Sequence, residues 1–149
     1  MKATHLIIAA RFNEMITQSL VDGAVRTFVD AGLEDSEIKR LWVPGAFELP
    51  VAAARAARSG AFQSVICLGA VIRGETPHFD YVAGPCASGL MNISIETGIP
   101  VVFGVLTTDT VDQALNRAGL KYGNKGADAA QTALSMVKAL KQIDVWSGQ

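Results

Sequence analysis

Arg73-Gly74-Glu75-Thr76-Pro77-His78 follows the most apolar run of this chain and mixes loop-forming with charged residues. A histidine in such a loop, with an unperturbed pKa of about 6.5, can give or take a proton at neutral pH. A surface histidine, or one held as a structural hydrogen bonder, would read the same way. His5 lies ahead of an apolar run without comparable neighbours and reads as a bystander. Arg73, Arg117 and Lys125 are the candidate anion holders. Arg117 falls in the last turn of a helical stretch, where the macrodipole favours a cation with or without a ligand. Lys125 stands in Gly123-Asn124-Lys125-Gly126, just before another helical stretch, and superficially suggests a phosphate loop. Phe12, between a strand and a helix, could stack on a planar ring or pack on its own helix. Glu48 could accept hydrogen bonds from a ligand or simply complement a helix N-terminus. Phe47 and Phe103 read as core residues.

Several chemistries lack their signatures. The Walker pattern is absent, which disfavours nucleoside triphosphates. No Gly-x-Gly-x-x-Gly follows the first apolar run, and no Gly-x-Ser-x-Gly elbow occurs. Cys67 and Cys86 make neither a metal spacing nor a disulfide framework. Cys67 sits in an apolar run and reads as a small core hydrophobe.

The elements that must position these residues alternate along the chain. Apolar runs at Leu6 to Ala10, Ile38 to Val43, Ser64 to Ile72 and Val101 to Leu106 are the predicted strands. Asn13 is the expected N-cap of a helix that carries Met15, Ile16, Leu20, Val21, Ala24, Val25, Phe28 and Val29 at helical spacing and stops at Ala31-Gly32. Further helices are expected from Ala46 to Arg58, from the end of the His78 loop to about Thr97, from Thr110 to Ala118, and from Ala127 to Gln142. Strands that read as solid apolar runs and alternate with helices predict a four-stranded parallel sheet covered on both faces. Right-handed crossovers then make an α/β fold, a three-layer α/β/α sandwich with flavodoxin-like order. Small molecules bind such sheets at the carboxyl ends of the strands. The loops beginning at Arg11, Pro44, Arg73 and Thr107 all belong to that edge.

Composition narrows the reading. The 149 residues suit one domain over 1–149, large enough to bury roughly 70% of the surface of its unfolded chain. Half the residues are hydrophobic and 18% charged, which excludes a disordered chain. Thirteen basic against fourteen acidic residues leave a net charge of −1, without the footprint of a nucleic-acid binder. No apolar stretch approaches a membrane span, and Met1-Lys2-Ala3-Thr4-His5 has no signal-like apolar region. A cytoplasmic protein is expected.

The loops, taken together and in order, resemble one family. Arg11-Phe12-Asn13, Val43 to Pro50, Gly69 to Tyr81, Pro100 to Thr108, and Asn116-Arg117-Ala118-Gly119 with Gly123-Asn124-Lys125-Gly126 look like the 6,7-dimethyl-8-ribityllumazine synthases, over nearly the whole chain. The resemblance implies a transferase of riboflavin biosynthesis. Its substrates would be 5-amino-6-(D-ribitylamino)uracil and 3,4-dihydroxy-2-butanone 4-phosphate, with no cofactor and no metal. It also implies roles. Phe12 stacks on the pyrimidine; Ala46, Phe47 and Glu48 hold the ribityl chain and pyrimidine; Ala70, Val71 and Ile72 line the uracil side. Glu75, Thr76 and Arg117 take the phosphate, His78 relays protons, and Phe103 and Lys125 complete the pocket from a neighbouring subunit. Glu75 departs from the small residue common at its position, and its carboxylate is expected to turn away while backbone amides bind. Asn116 replaces an acidic residue that often precedes the arginine.

The family forms pentamers with active sites between subunits, and some members close icosahedral shells. A pentamer is expected here and the shell is left open. The short Leu120 to Gly126 loop favours a shell, whereas a missing or reduced N-terminal strand argues against it. Two other functions fit the architecture: an archaeal-type riboflavin synthase, and a non-catalytic flavin or lumazine carrier. No nucleic-acid or membrane partner is expected.

Overall fold

Apolar β-rich runs separated by amphipathic stretches can bury both faces of a sheet only by laying helices on each side of it. A computed structural model, which describes residues 4–148, has this arrangement. Residues 1–3, on which the N-terminal reading partly fell, lie outside the described residues. The strands are β1 (Thr4–Ala10), β2 (Ile38–Val43), β3 (Phe62–Ile72) and β4 (Val101–Thr108). They form one parallel sheet in the order β2-β1-β3-β4. The chain therefore steps from β1 outward to β2, then returns to the other side of β1 for β3, which puts the switch point between β1 and β3.

Alternation along the central strands sends side chains into two cores. Ile7, Ile66 and Leu68 meet α1 (Glu14–Asp30) and α5 (Lys125–Ser147), through Leu20, Ala24, Phe28, Ala129 and Ala133. Leu6, Ile8, Val65 and Cys67 meet α2 (Leu49–Arg58) and α3 (His78–Thr97), through Leu49, Ala53, Cys86 and Leu90. Alanines on the inner faces of α2 and α5 let these helices approach closely. The short α4 (Val111–Asn116) completes the first layer, opened by a capping box in which Thr110 Oγ1 accepts from the Gln113 amide.

Several expected boundaries moved, each for a local reason. The helix expected from Ala46 is a 3₁₀ turn, Ala46–Glu48, followed by α2, whose first turn holds Pro50. A proline is tolerated there because its missing N–H would be unpaired anyway. β4 runs on to Thr108 and so takes in Thr107 and Thr108, which had read as loop. α4 stops at Asn116, leaving Arg117 as its C-cap residue. α5 starts at Lys125 because Asn124 Oδ1 accepts from the amides of Gly126 and Ala127 over 2.8 and 3.1 Å. His78 is the first residue of α3 rather than a loop residue.

His5 is a buried residue of β1, with a structural contact rather than a place among the chemistry-bearing loops. It is only 4% exposed, with Nδ1 2.7 Å from Ser64 Oγ and its ring stacked on Phe28 at 4.9 Å. Cys67 and Cys86 are both buried, and burial pushes the Cys86 thiol up to about 11. Neither is suited to thiolate chemistry. Among the described residues no helix is long and apolar enough to cross a membrane.

Candidate active site

Three strands end beside one cavity. The turn after β1 supplies Phe12, and the segment after β2 supplies Pro44, Gly45, Ala46, Phe47 and Glu48. The end of β3 supplies Ala70, Val71 and Ile72, and the loop beyond it Gly74 and Thr76. The first turns of α3 add His78, Phe79, Tyr81 and Val82. The cavity measures about 720 Å³, within the ordinary range for small-molecule sites, and lies at the switch point between β1 and β3.

Two loops are held in register by short backbone bonds. The amides of Arg11 and Phe12 donate to the carbonyls of Val43 and Pro44 over 2.8 and 3.1 Å. The rim is apolar and open. Phe12 is 72% exposed and Phe47 61% exposed, so Phe47 is a cavity residue and not the core residue its type suggested. Two open aromatic rings beside a cleft suit the faces of a flat heterocycle. Glu48 is half-buried, with its carboxylate folded toward Gly45, where an added Cβ would lie 3.2 Å from Oε1.

His78 projects from the start of α3 at the cavity. Its backbone amide reaches Thr76 Oγ1 at 3.4 Å, and its ring nitrogens have no partner among the described residues. An imidazole with both nitrogens open can exchange protons with a bound molecule. Gly74 and Thr76 line the cavity while Glu75 does not, in keeping with a carboxylate turned away from it.

Phe79, Tyr81 and Val82 were not singled out from the sequence. His78, Tyr81 and Val82 stand three and four residues apart, the spacing that places side chains on one helical face, and that signal could have found two of them.

Arg117, Phe103 and Lys125 are elsewhere. They line a second groove, of about 380 Å³, with Thr107, Thr108, Tyr122 and Asp128. Arg117 Nη1 donates to the carbonyl of Gln113 over 3.0 Å, and its guanidinium lies 5.2 Å from the Tyr122 ring centroid. The bond to the last turn of α4 is what a cation at a helix C-terminus makes by itself. The Arg117 carbonyl accepts from the Lys125 amide over 2.8 Å, so the two cations are joined through the backbone. Phe103 is half-buried in the wall of this groove. The structure thus gathers Phe12, Ala46, Phe47, Glu48, Ala70, Val71, Ile72, Thr76 and His78 at one place, and Phe103, Arg117 and Lys125 at another.

Arg73 joins neither group. Its guanidinium is engaged by Asp109 and Asp80, which leaves it poorly placed as the anion holder it had suggested.

A parallel sheet in flavodoxin-like order, with an aromatic-rimmed cavity and an open histidine at its switch point, defines an α/β small-molecule enzyme fold. A sequence model of the 6,7-dimethyl-8-ribityllumazine synthase family matches residues 2–141. The chain is also 50% identical, over 144 residues, to a 6,7-dimethyl-8-ribityllumazine synthase from Protochlamydia amoebophila (strain UWE25), with 97% of this chain and 84% of that protein covered. The chain belongs to the 6,7-dimethyl-8-ribityllumazine synthase family and is an enzyme, a transferase of riboflavin biosynthesis.

Proposed function

We propose that this enzyme condenses 5-amino-6-(D-ribitylamino)uracil with 3,4-dihydroxy-2-butanone 4-phosphate to 6,7-dimethyl-8-ribityllumazine, releasing phosphate and water, in the cytoplasm. The observation that carries this reading is the cavity at the β1/β3 switch, where open aromatic rings, Glu48 and a histidine whose ring has no partner among the described residues converge.

Phe12 takes the face of the pyrimidine, and Ala46, Phe47 and Glu48 hold its polar edge and the ribityl chain. Ala70, Val71 and Ile72 back the ring. Imine formation between the pyrimidine amine and the ketone, loss of phosphate, and ring closure each move protons. His78, whose ring nitrogens can donate and accept hydrogen bonds, relays them. Much of the remaining acceleration comes from holding two substrates in reacting geometry, which can supply roughly 7–11 kcal/mol.

Arg117 takes the phosphate, with Thr76 and the backbone amides around Glu75 beside it. Since Arg117, Phe103 and Lys125 line the second groove, their part in the same pocket requires a neighbouring copy to present that groove to the cavity. A homo-oligomer, a pentamer, would bring the two together. Val51 on α2 and Met91 and Ile95 on α3 are exposed apolar side chains that a neighbour would cover.

The test is to mix the protein with both substrates and follow the fluorescent lumazine. Formation at a rate proportional to enzyme supports the proposal. No product, with tight flavin binding, would instead make the chain a carrier. Riboflavin formed from supplied lumazine would make it a riboflavin synthase.

A further inference from the structure

We propose that Arg73 is a positioning residue that holds His78 and Phe79 against the cavity. Arg73 is the first residue beyond β3, and its amide donates to the carbonyl of Thr108, the last residue of β4, over 2.8 Å. Its side chain then spans two elements. Nε donates to Asp109 Oδ1 at 3.1 Å, one residue past β4, and Nη2 reaches Asp80 Oδ1 at 3.5 Å, in the first turn of α3. Its guanidinium carbon lies 4.4 Å from the centroid of Phe79, whose ring lines the cavity.

The helix start it grips has no side-chain cap. α3 begins at His78 with Pro77 as N-cap residue, and its first turn is held by the Asp80 amide, which donates to the Pro77 carbonyl over 3.0 Å, and by the His78 amide, which reaches Thr76 Oγ1 at 3.4 Å. A first turn without a side-chain cap frays more easily than the helix interior, because its leading amides have no partners within the helix. Each exposed ion pair alone is weak. A planar guanidinium that meets two carboxylates and a ring face at once, however, fixes one arrangement of all three. The residues it fixes are His78's next neighbour and next but one. Arg73 is assigned no contact with substrate or reacting atoms, and its charge is already opposed by two carboxylates.

The assignment rests on the reading of His78 as proton relay, so one arm of the test does not depend on turnover. The chain has two histidines, His5 and His78. Ring-carbon labelling of histidine therefore gives two NMR signals in the full assembly, told apart by a His5→Gln variant. In Arg73→Gln the His78 signal is expected to move or broaden while that of His5 stays. In the second arm, kcat falls about tenfold while KM for the phosphorylated ketone stays within about twofold, the signature of lost orientation. Arg73→Lys, which has no fork to reach both carboxylates, behaves like Arg73→Gln. Asp109→Asn, which loosens one contact and keeps the arginine, moves the His78 signal in the same direction and serves if Arg73→Gln does not fold.

An unmoved His78 signal in these variants overturns the assignment, whatever happens to stability. A raised KM for the phosphorylated ketone with kcat intact overturns it in favour of direct anion binding. Absence of lumazine formation by the unaltered enzyme would remove the proposed function, and the NMR arm would still decide whether Arg73 positions the ring.

Discussion

Asn13 Nδ2 donates to the carbonyl of Ala70 over 2.8 Å, tying the turn after β1 to the end of β3 across the switch point of the sheet. Asn13 occupies the N-cap position of α1 but makes no side-chain cap there. It is the one non-glycine residue among those described with a positive φ, 62°, and asparagine is among the few side chains that accept this conformation. Backbone and side chain therefore place Phe12 on one side of the cavity and Ala70 on the other.

Replacing Asn13 separates these effects. Asn13→Ala should lose about 1–2 kcal/mol for the left-handed backbone and about 1 kcal/mol for the bond to Ala70. Asn13→Gly should recover much of the first loss and none of the second. Denaturant midpoints at one fixed protein concentration measure both. An Asn13→Ala variant as stable as the unaltered chain would refute the assignment of this contact.

His78 and Arg117 should differ in kind. His78→Ala is expected to lower turnover modestly, about tenfold, because orientation carries much of the rate and water can stand in for a proton relay. Arg117→Ala is expected to lose more, and to lose it against phosphate: affinity for the phosphorylated butanone should fall toward that for its dephosphorylated analogue. Full turnover in His78→Ala removes the catalytic role. An undiminished preference of Arg117→Ala for the phosphorylated compound removes the phosphate role.

What the sequence could tell depended on whether a property was local. Strand positions, both layers of helices and the loops at the carboxyl edge were legible because apolar runs and 3.6-residue periods are local patterns. Most residues of the cavity were legible because loops at the carboxyl edge of a parallel sheet lie close together, but only three of them meet there, and the end of β4 lines the second groove instead. The direction in which a side chain points was not. Phe47 read as core because aromatics usually are, and the 3₁₀ turn ahead of Pro50 turns it outward. The burial of His5 was not legible because its partners, Phe28 and Ser64, come from distant parts of the chain. The engagement of Arg73 by Asp80 and Asp109 likewise depends on where α3 and β4 meet in space.

His5 makes stability depend on pH. Burial lowers its pKa below 6.5, helped by Lys141 and opposed by Glu37. Below pH 6.5 the unfolded chain therefore binds a proton that the folded chain resists, and the unfolded state carries more protons. Stability contributed by the neutral buried ring is full above that pH and is lost as the pH falls through 6.5 toward the folded value. Denaturant midpoints should drop between about pH 7.5 and about pH 5.5, and His5→Gln should show a shallower drop. Equal slopes in the two proteins would place the acid sensitivity elsewhere.

Gly126 marks the tightest approach between α1 and α5. A Cβ built there would collide with the backbone of Leu20, carbonyl oxygen first, and Gly126 donates its own amide to Asn124 Oδ1 over 2.8 Å. Asn124 in turn donates to the carbonyl of Ser19 over 3.0 Å, and a Cβ at Gly23 would meet its side-chain amide. Backbone, unlike the end of a flexible side chain, cannot give way cheaply. Gly126→Ala must push α5 away from α1, at the usual overpacking cost of about 1–3 kcal/mol or more. The displacement also carries Lys125, the neighbouring residue, and with it the groove that holds Arg117. The variant is expected to unfold at lower denaturant and to bind the phosphorylated butanone more weakly than its stability loss alone explains, with binding measured where it remains folded. A Gly126→Ala protein with unchanged midpoint would mean that the two helices have room to spare.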